Sequence, residues 1–232
     1  MAKVVIKKTN MIKTSGDWFR YAPPEGGEKQ WAAKHSALEL ASYFTACDGN
    51  LPTEIVDVLK SHKIKVSSFD CEPEYVTELS KEGYGRGMGR HHDLLMIGSD
   101  CVVGIEAKAT ETLDKYADEK HKGTDNHKAR YDGIARDLFG KTIAELGEIR
   151  VRYQLMSATI GTLIEAKKRN LKKAEVLVLL FSSDITTREH IENTQKDIDV
   201  FTSLLEKNED GSYRTPYDSD IKLYVDFNEV AI

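Results

Sequence analysis

The sequence contains no apolar stretch of about 18 residues, so no segment is expected to span a membrane. Its opening residues, MAKVVIKKTNMIKT, lack the long apolar core of a secretory signal. Cysteine is scarce. Cys47, Cys71 and Cys101 lie far apart without CxxC spacing, which argues against a zinc site and a disulfide framework. Three unpatterned thiols suit a reduced, cytoplasmic protein. An excess of positive charge is missing too: 33 Lys and Arg against 38 Asp and Glu leave a net charge of −5, which does not advertise a nucleic-acid binder. That objection is bounded, because screening at physiological salt acts over about 8 Å and phosphates respond to local patches. No repeat, low-complexity tract or composition shift divides the chain, and 40% hydrophobic residues over 232 positions suffice for one core. A single domain over 1–232 is expected.

What is present centres on residues 89–109, GRHHDLLMIGSDCVVGIEAKA. Two apolar runs, 94–97 and 101–105, flank Gly98-Ser99-Asp100 and read as a β-hairpin. With Ser99-Asp100 as the loop, Gly98 faces Cys101, and counting outward sets Asp93 opposite Glu106. Lys108 shares the face of Glu106, with His91 across from it. Like charges directly opposed on paired strands repel. Two carboxylates at the mouth of an apolar hairpin therefore call for a proton or a cation, and Mg²⁺ takes such hard oxygen ligands. Acidic-x-Lys recurs at Asp118-Glu119-Lys120, Glu165-Ala166-Lys167 and Asp220-Ile221-Lys222. Only Glu106 and Lys108 close an apolar strand with an acid on its hairpin partner.

On Asp93, Glu106 and Lys108 the chain resembles the PD-(D/E)XK nuclease superfamily, the restriction-endonuclease-like proteins. His92 stands where that family often has proline. The resemblance covers roughly residues 30–182 and implies the order helix, three strands, helix, strand. It implies a metal-dependent nuclease in which Asp93, Glu106 and the carbonyl of Ala107 hold Mg²⁺, with Mn²⁺ as a substitute. Lys108 would position or activate the attacking water, its role as a base being left open. It further implies an additional glutamate near the metal, for which Glu39 on the first long helix is a candidate. A glutamine near the metal-bound phosphate is also implied, for which Gln154 is a candidate. Asp70 and Glu72 are alternatives to Glu39. DNA is the expected partner ahead of RNA, and a small chain cutting duplex DNA would reach both strands as a homodimer.

Periodicity gives helices at 30–46, 52–62 and 188–206, the last burying Ile191, Ile198, Phe201 and Leu205. Residues 63–69 and 175–181 read as strands, 221–227 as an edge-like last strand, and 74–81 as a short helix or turn. The stretch 110–128 reads as a long polar loop and 131–139 as weakly helical. Thr142-Ile143-Ala144-Glu145 is a capping-box signature opening a helical pattern towards Arg169, which Gly147 can break. Strands apolar on both faces, interleaved with helices, predict an α/β mixed central sheet covered by helices on both faces. The core would span 30–182, with the helix and strand of 188–227 packed on it.

Four arginines are candidate nucleic-acid contacts. Arg86 lies within the glycine-rich run 83–89, read as a flexible loop, and Arg90 follows it, while Arg150 and Arg152 precede Gln154, with Arg150 at helical i,i+4 spacing from it. His91 and His92 carry a catalytic or phosphate role as one reading and an ordinary structural role as another. For the whole chain, the competing readings are a non-catalytic nucleic-acid-binding or scaffolding domain of the same fold, and a plain α/β domain whose acids mark strand ends.

Overall fold

Two almost wholly apolar strands organise the molecule, a computed structural model that describes Val4–Val5 and residues 12–232. Strand β4 (Cys101–Lys108) is buried throughout, and β5 (Lys173–Ser182) at all but its first residue. They run parallel, from Cys101 beside Lys173 to Lys108 beside Leu180. Around them β1 (Val4–Val5), β2 (Phe69–Thr77), β3 (Arg90–Ile97), β6 (Glu206–Lys207), β7 (Tyr213–Arg214) and β8 (Lys222–Ala231) complete a mixed sheet. The order of its eight strands is β1-β2-β3-β4-β5-β8-β7-β6.

Strands without a polar face must be covered on both. On one side α1 (Ser15–Tyr21), α2 (Ser36–Thr45) and α3 (Thr53–Ser61) bring Trp18, Phe44, Ile55 and Leu59 onto Cys71, Met96, Val103 and Leu177. On the other, α5 (Asp125–Phe139), α6 (Tyr153–Lys168), α7 (Arg188–Ser203) and the short α4 (Ala117–His121) bring Ile134, Leu155, Ile160 and Phe201 onto Leu95, Val102, Val176 and Leu223. The expected two-sided α/β sandwich is therefore present. Helix α6 is buried from Leu155 through Ala166, the mark of a core helix. It presses on β4 at Gly104, where a Cβ would stand 2.2 Å from Thr162 Oγ1.

The hairpin forms in the expected register. Leu94 pairs with Ile105 and Ile97 with Val102, and the Gly98 N–H donates to the Cys101 carbonyl at 2.9 Å. Elsewhere the sequence reading needs correction. The first long helix begins at Ser36, not near 30, because Lys34 adopts a left-handed φ of 65°. Residues 63–68 lie before the strand, which runs Phe69–Thr77 in place of the expected helix or turn from 74. Pro73 sits inside it, paired with Leu94 of β3, and among the described residues β1 reaches β2 only at Phe69 and Asp70, so no described strand needs an N–H from the proline on that side. The polar stretch after β4 contains α4 and the start of α5. The capping box at Thr142 forms, but only over a 3-10 turn at Ala144–Leu146. Gly147, at φ 65°, ends it well before α6. Strand β8 is no outer strand: it pairs with β5 along its whole length and with β7 at Leu223.

Candidate active site

The alternation of β2 and β3 breaks where two acids meet. From Asp70–Ile97 to Thr77–Arg90 the strands keep one register, interrupted only at Glu74, which stands opposite Asp93. Glu74 has φ 51°, a left-handed conformation uncommon outside glycine. Cys71, Leu94 and Met96 face α1–α3, so strict alternation would send Tyr75 and His92 the same way. Instead the Tyr75 hydroxyl donates to Glu165 of α6 at 3.0 Å, and a Cβ on Gly161 of α6 would lie 2.9 Å from His92 Nε2. Both strands turn over at this pair, at the end of the sheet where β4 reaches Glu106 and Lys108.

Three carboxylates from three adjacent strands thus share one region: Glu74 on β2, Asp93 on β3 and Glu106 on β4. Asp93 accepts the Ala107 N–H at 2.7 Å, which ties it to the residue after Glu106. Glu106, 1% exposed, accepts from Lys108 Nζ at 2.6 Å. It also accepts hydrogen bonds from the Arg90 guanidinium and from the Gln154 side-chain amide at the start of α6. Gln154 is held in turn by the Asp114 N–H, which donates to its Oε1 at 3.1 Å. The group opens on a cleft of about 550 Å³ lined by Glu74, Arg90, His91, Asp93, Lys108 and Gln154. Glu111 lines it too, and residues between Pro24 and Ala37 form the opposite wall.

Charge in the cleft is uneven. Burial, and then the Glu106 charge, push Asp93 up to about 7 against Lys108, Arg90 and the Ala107 N–H. Glu74 rises to about 8 through burial, Asp93 and Glu106, with Arg90 opposing. Burial also works to raise Glu106, but Lys108 and Arg90 outweigh it and hold the group below its usual range. Lys108 moves the other way: burial would lower it, yet Glu106 and Asp93 keep it above the ordinary lysine value, as an ammonium. Three acids therefore face two fixed cations, Arg90 and Lys108. The carboxylates left under-compensated, Asp93 and Glu74, are hard oxygen donors of the kind Mg²⁺ takes.

The structure brings together Asp93, Glu106, Ala107, Lys108 and Gln154. It also brings in Arg90, whose guanidinium lies on Glu106 with 11% of the side chain exposed. Glu39 does not join them. Its carboxylate accepts the Lys34 N–H at 2.6 Å, and α2 lines the cleft through Ser36 and Ala37. Arg86 stays outside, its backbone clamped to Asn126 of α5 by two 2.7 Å hydrogen bonds, so the glycine-rich segment is fastened. Arg150 precedes α6 and so shares no helix face with Gln154. Arg150 pairs with Asp118 and Glu119, Arg152 with Asp197, and both stack on Tyr116 in a separate cleft. His91 lines the cleft, whereas His92 is buried and kept neutral by desolvation, Arg90 and His91. Asp70 and Glu72 lie on β2 but not in the cleft lining.

Glu74 was not anticipated. The signal for it was the alternation Asp70-x-Glu72-x-Glu74 against Phe69, Cys71 and Pro73, which continues the strand through the proline.

Among comparisons with known proteins, the family model of a domain of unknown function, DUF6946, matches residues 11–230. No curated protein and no solved structure gives a significant match.

Proposed function

We propose, for a chain that belongs to the DUF6946 family, that the cleft is the centre of a metal-dependent nuclease acting on phosphodiester bonds, DNA ahead of RNA. One observation carries this reading: three carboxylates from neighbouring strands converge beside a lysine two residues beyond the last of them, with only two cations to balance them. With α4 and α5 inserted between β4 and α6, the elements α3, β2–β4, α6 and β5 follow the order that the resemblance to restriction-endonuclease-like proteins implies.

Asp93 and Glu106 would hold Mg²⁺ or Mn²⁺, with Glu74 as a third carboxylate in reach and the Ala107 carbonyl as the resemblance implies. The ion would lower the pKa of a bound water and offset charge on the phosphate in the transition state. Arg90 would leave Glu106 as its charge is taken up, freeing a guanidinium whose fork suits a phosphate. Lys108, held as an ammonium, acts as a donor and charge partner for the reacting phosphate and does not begin as the base. Glu74, whose proton is held by burial and by the charges of Asp93 and Glu106, would first have to lose it, as a nearby cation favours, and would then accept the proton of the attacking water. Gln154 keeps Glu106 oriented from α6.

A second reading rests on the closed network around Glu106: an acid already met by Arg90, Lys108 and Gln154 suits a non-catalytic binding domain. Incubation with supercoiled, linear and single-stranded DNA and with RNA, in Mg²⁺ or Mn²⁺, separates the two. Cleavage is expected for the wild type and lost in Asp93→Asn and Glu106→Gln. Lys108→Ala should lower turnover by about 10²–10³-fold while the protein still binds metal. Absence of cleavage with every substrate, or full activity in Glu106→Gln, overturns the nuclease.

A further inference from the structure

Away from the cleft, on the α1–α3 face of the sheet, Glu175 of β5 is completely buried, and among the described residues no donor reaches either of its carboxylate oxygens unless a proton is shared with Asp226. Stranding a carboxylate in this way is costly, because an ion taken out of water must regain its solvation from the protein. Burial and the adjacent Asp226 carboxylate both disfavour its ionised form. Asp226 comes from β8, one strand over. His62, which ends α3, places Nε2 2.7 Å from Asp226 Oδ2 and stacks on Tyr224 at 4.2 Å between ring centroids. One ligand atom from each of His62, Glu175 and Asp226 lies within 4.8 Å of the others.

Three lysines lining the adjoining cavity are paired elsewhere, Lys172 with Asp220. Lys173 bridges Asp100 and the Lys63 carbonyl, and Lys222 pairs with Asp210. That cavity, of about 310 Å³, is lined by His62 and Tyr224, and the His62 and Asp226 side chains are both partly exposed, so an ion can reach them from solvent.

We propose that His62, Glu175 and Asp226 form a site for a divalent transition ion of the Zn²⁺ class, with solvent completing the shell. One imidazole nitrogen and two carboxylates suit such an ion better than Mg²⁺, which favours all-oxygen shells. The ion would satisfy the stranded oxygens of Glu175 and tie the end of α3 to the two central strands β5 and β8. The competing arrangement is one proton shared between Glu175 and Asp226, with no metal.

The test uses the full chain, stripped with a chelator, given Zn²⁺ in excess Mg²⁺ and dialysed before metal analysis. One Zn²⁺ per chain is expected to remain in the wild type and in Asp93→Asn. Glu175→Gln and the partly exposed His62→Asn should each weaken binding more than about tenfold. Co²⁺ in place of Zn²⁺ should give visible absorption that both variants lose. Failure of the wild type to retain Zn²⁺ overturns the site, as does unchanged affinity in His62→Asn. Equal affinity in Glu175→Gln, with stability at or above wild type, establishes the shared proton instead. Because the readout is metal retention, it stands or falls separately from nucleic-acid cleavage.

Discussion

Asp93 and Glu74 make the site sensitive to pH in a direction opposite to that of most carboxylates. Both have folded pKa values, about 7 and about 8, above those of ordinary carboxyl groups, so the folded chain retains protons that the unfolded chain releases. The stability linked to them is complete below about pH 4 and is lost as pH rises through their folded values. In metal-free protein the unfolding free energy measured in urea should fall by a few kcal/mol between pH 5 and 8, since one pKa unit is worth about 1.4 kcal/mol. Glu74→Gln should flatten the upper part of that decline. A profile of unchanged slope in the variant would mean that Glu74 does not titrate there.

At the level of elements, the hairpin was legible because two local rules agreed. Alternation and a Gly-Ser-Asp turn set one register, which pairs Leu94 with Ile105 and leads Asp93 on to the Ala107 N–H beside Glu106. The neighbouring strand is harder to read: local pattern suggests a strand over 63–69 and a short helix or turn over 74–81, whereas β2 runs Phe69–Thr77. Only pairing with β3 shows that the strand runs through the proline to Thr77. The start of α6 was hidden for a similar reason: a capping box at Thr142 is real but closes a single turn. The grouping of Arg90 with Glu106, and the diversion of Arg150 and Arg152 to Tyr116 and its acidic neighbours, are tertiary facts that no local pattern carries.

Helix α6 supplies a further test, because its closeness to β4 depends on Gly104. An added methyl would meet Thr162 Oγ1, on a short branched side chain with little room to retreat. Gly104→Ala should destabilise the protein by about 1–3 kcal/mol in chemical denaturation. It should also loosen the contact between Gln154 and Glu106. Unaltered stability would mean that the helix shifts freely on the sheet.

At the scale of the whole molecule, the arginines named as candidate contacts are, apart from Arg86, paired with acids. Arg90 is spent on Glu106, Arg150 on Asp118 and Glu119, and Arg152 on Asp197, within a chain of net charge −5. Any polyanion would have to be drawn in by the cleft itself, which makes a bound cation part of its electrostatics. A ligand that binds only the folded state at 100 times its dissociation constant adds about 2.7 kcal/mol, or roughly 5–10 °C for a chain of this size. Mg²⁺ should raise the midpoint of thermal unfolding by that order in the wild type and in Lys108→Ala, but not in the Asp93→Asn, Glu106→Gln double variant. An equal rise in that variant would place the stabilising ion elsewhere.

The left-handed bend at Glu74 sets folding and chemistry at odds. Glycine would occupy that conformation at ease, whereas a residue with a side chain gives up roughly 1 kcal/mol there. The chain accepts a slightly less comfortable backbone and in return points an acid at Asp93. A sequence optimised for robustness alone would smooth out this corner and, in doing so, blunt the instrument.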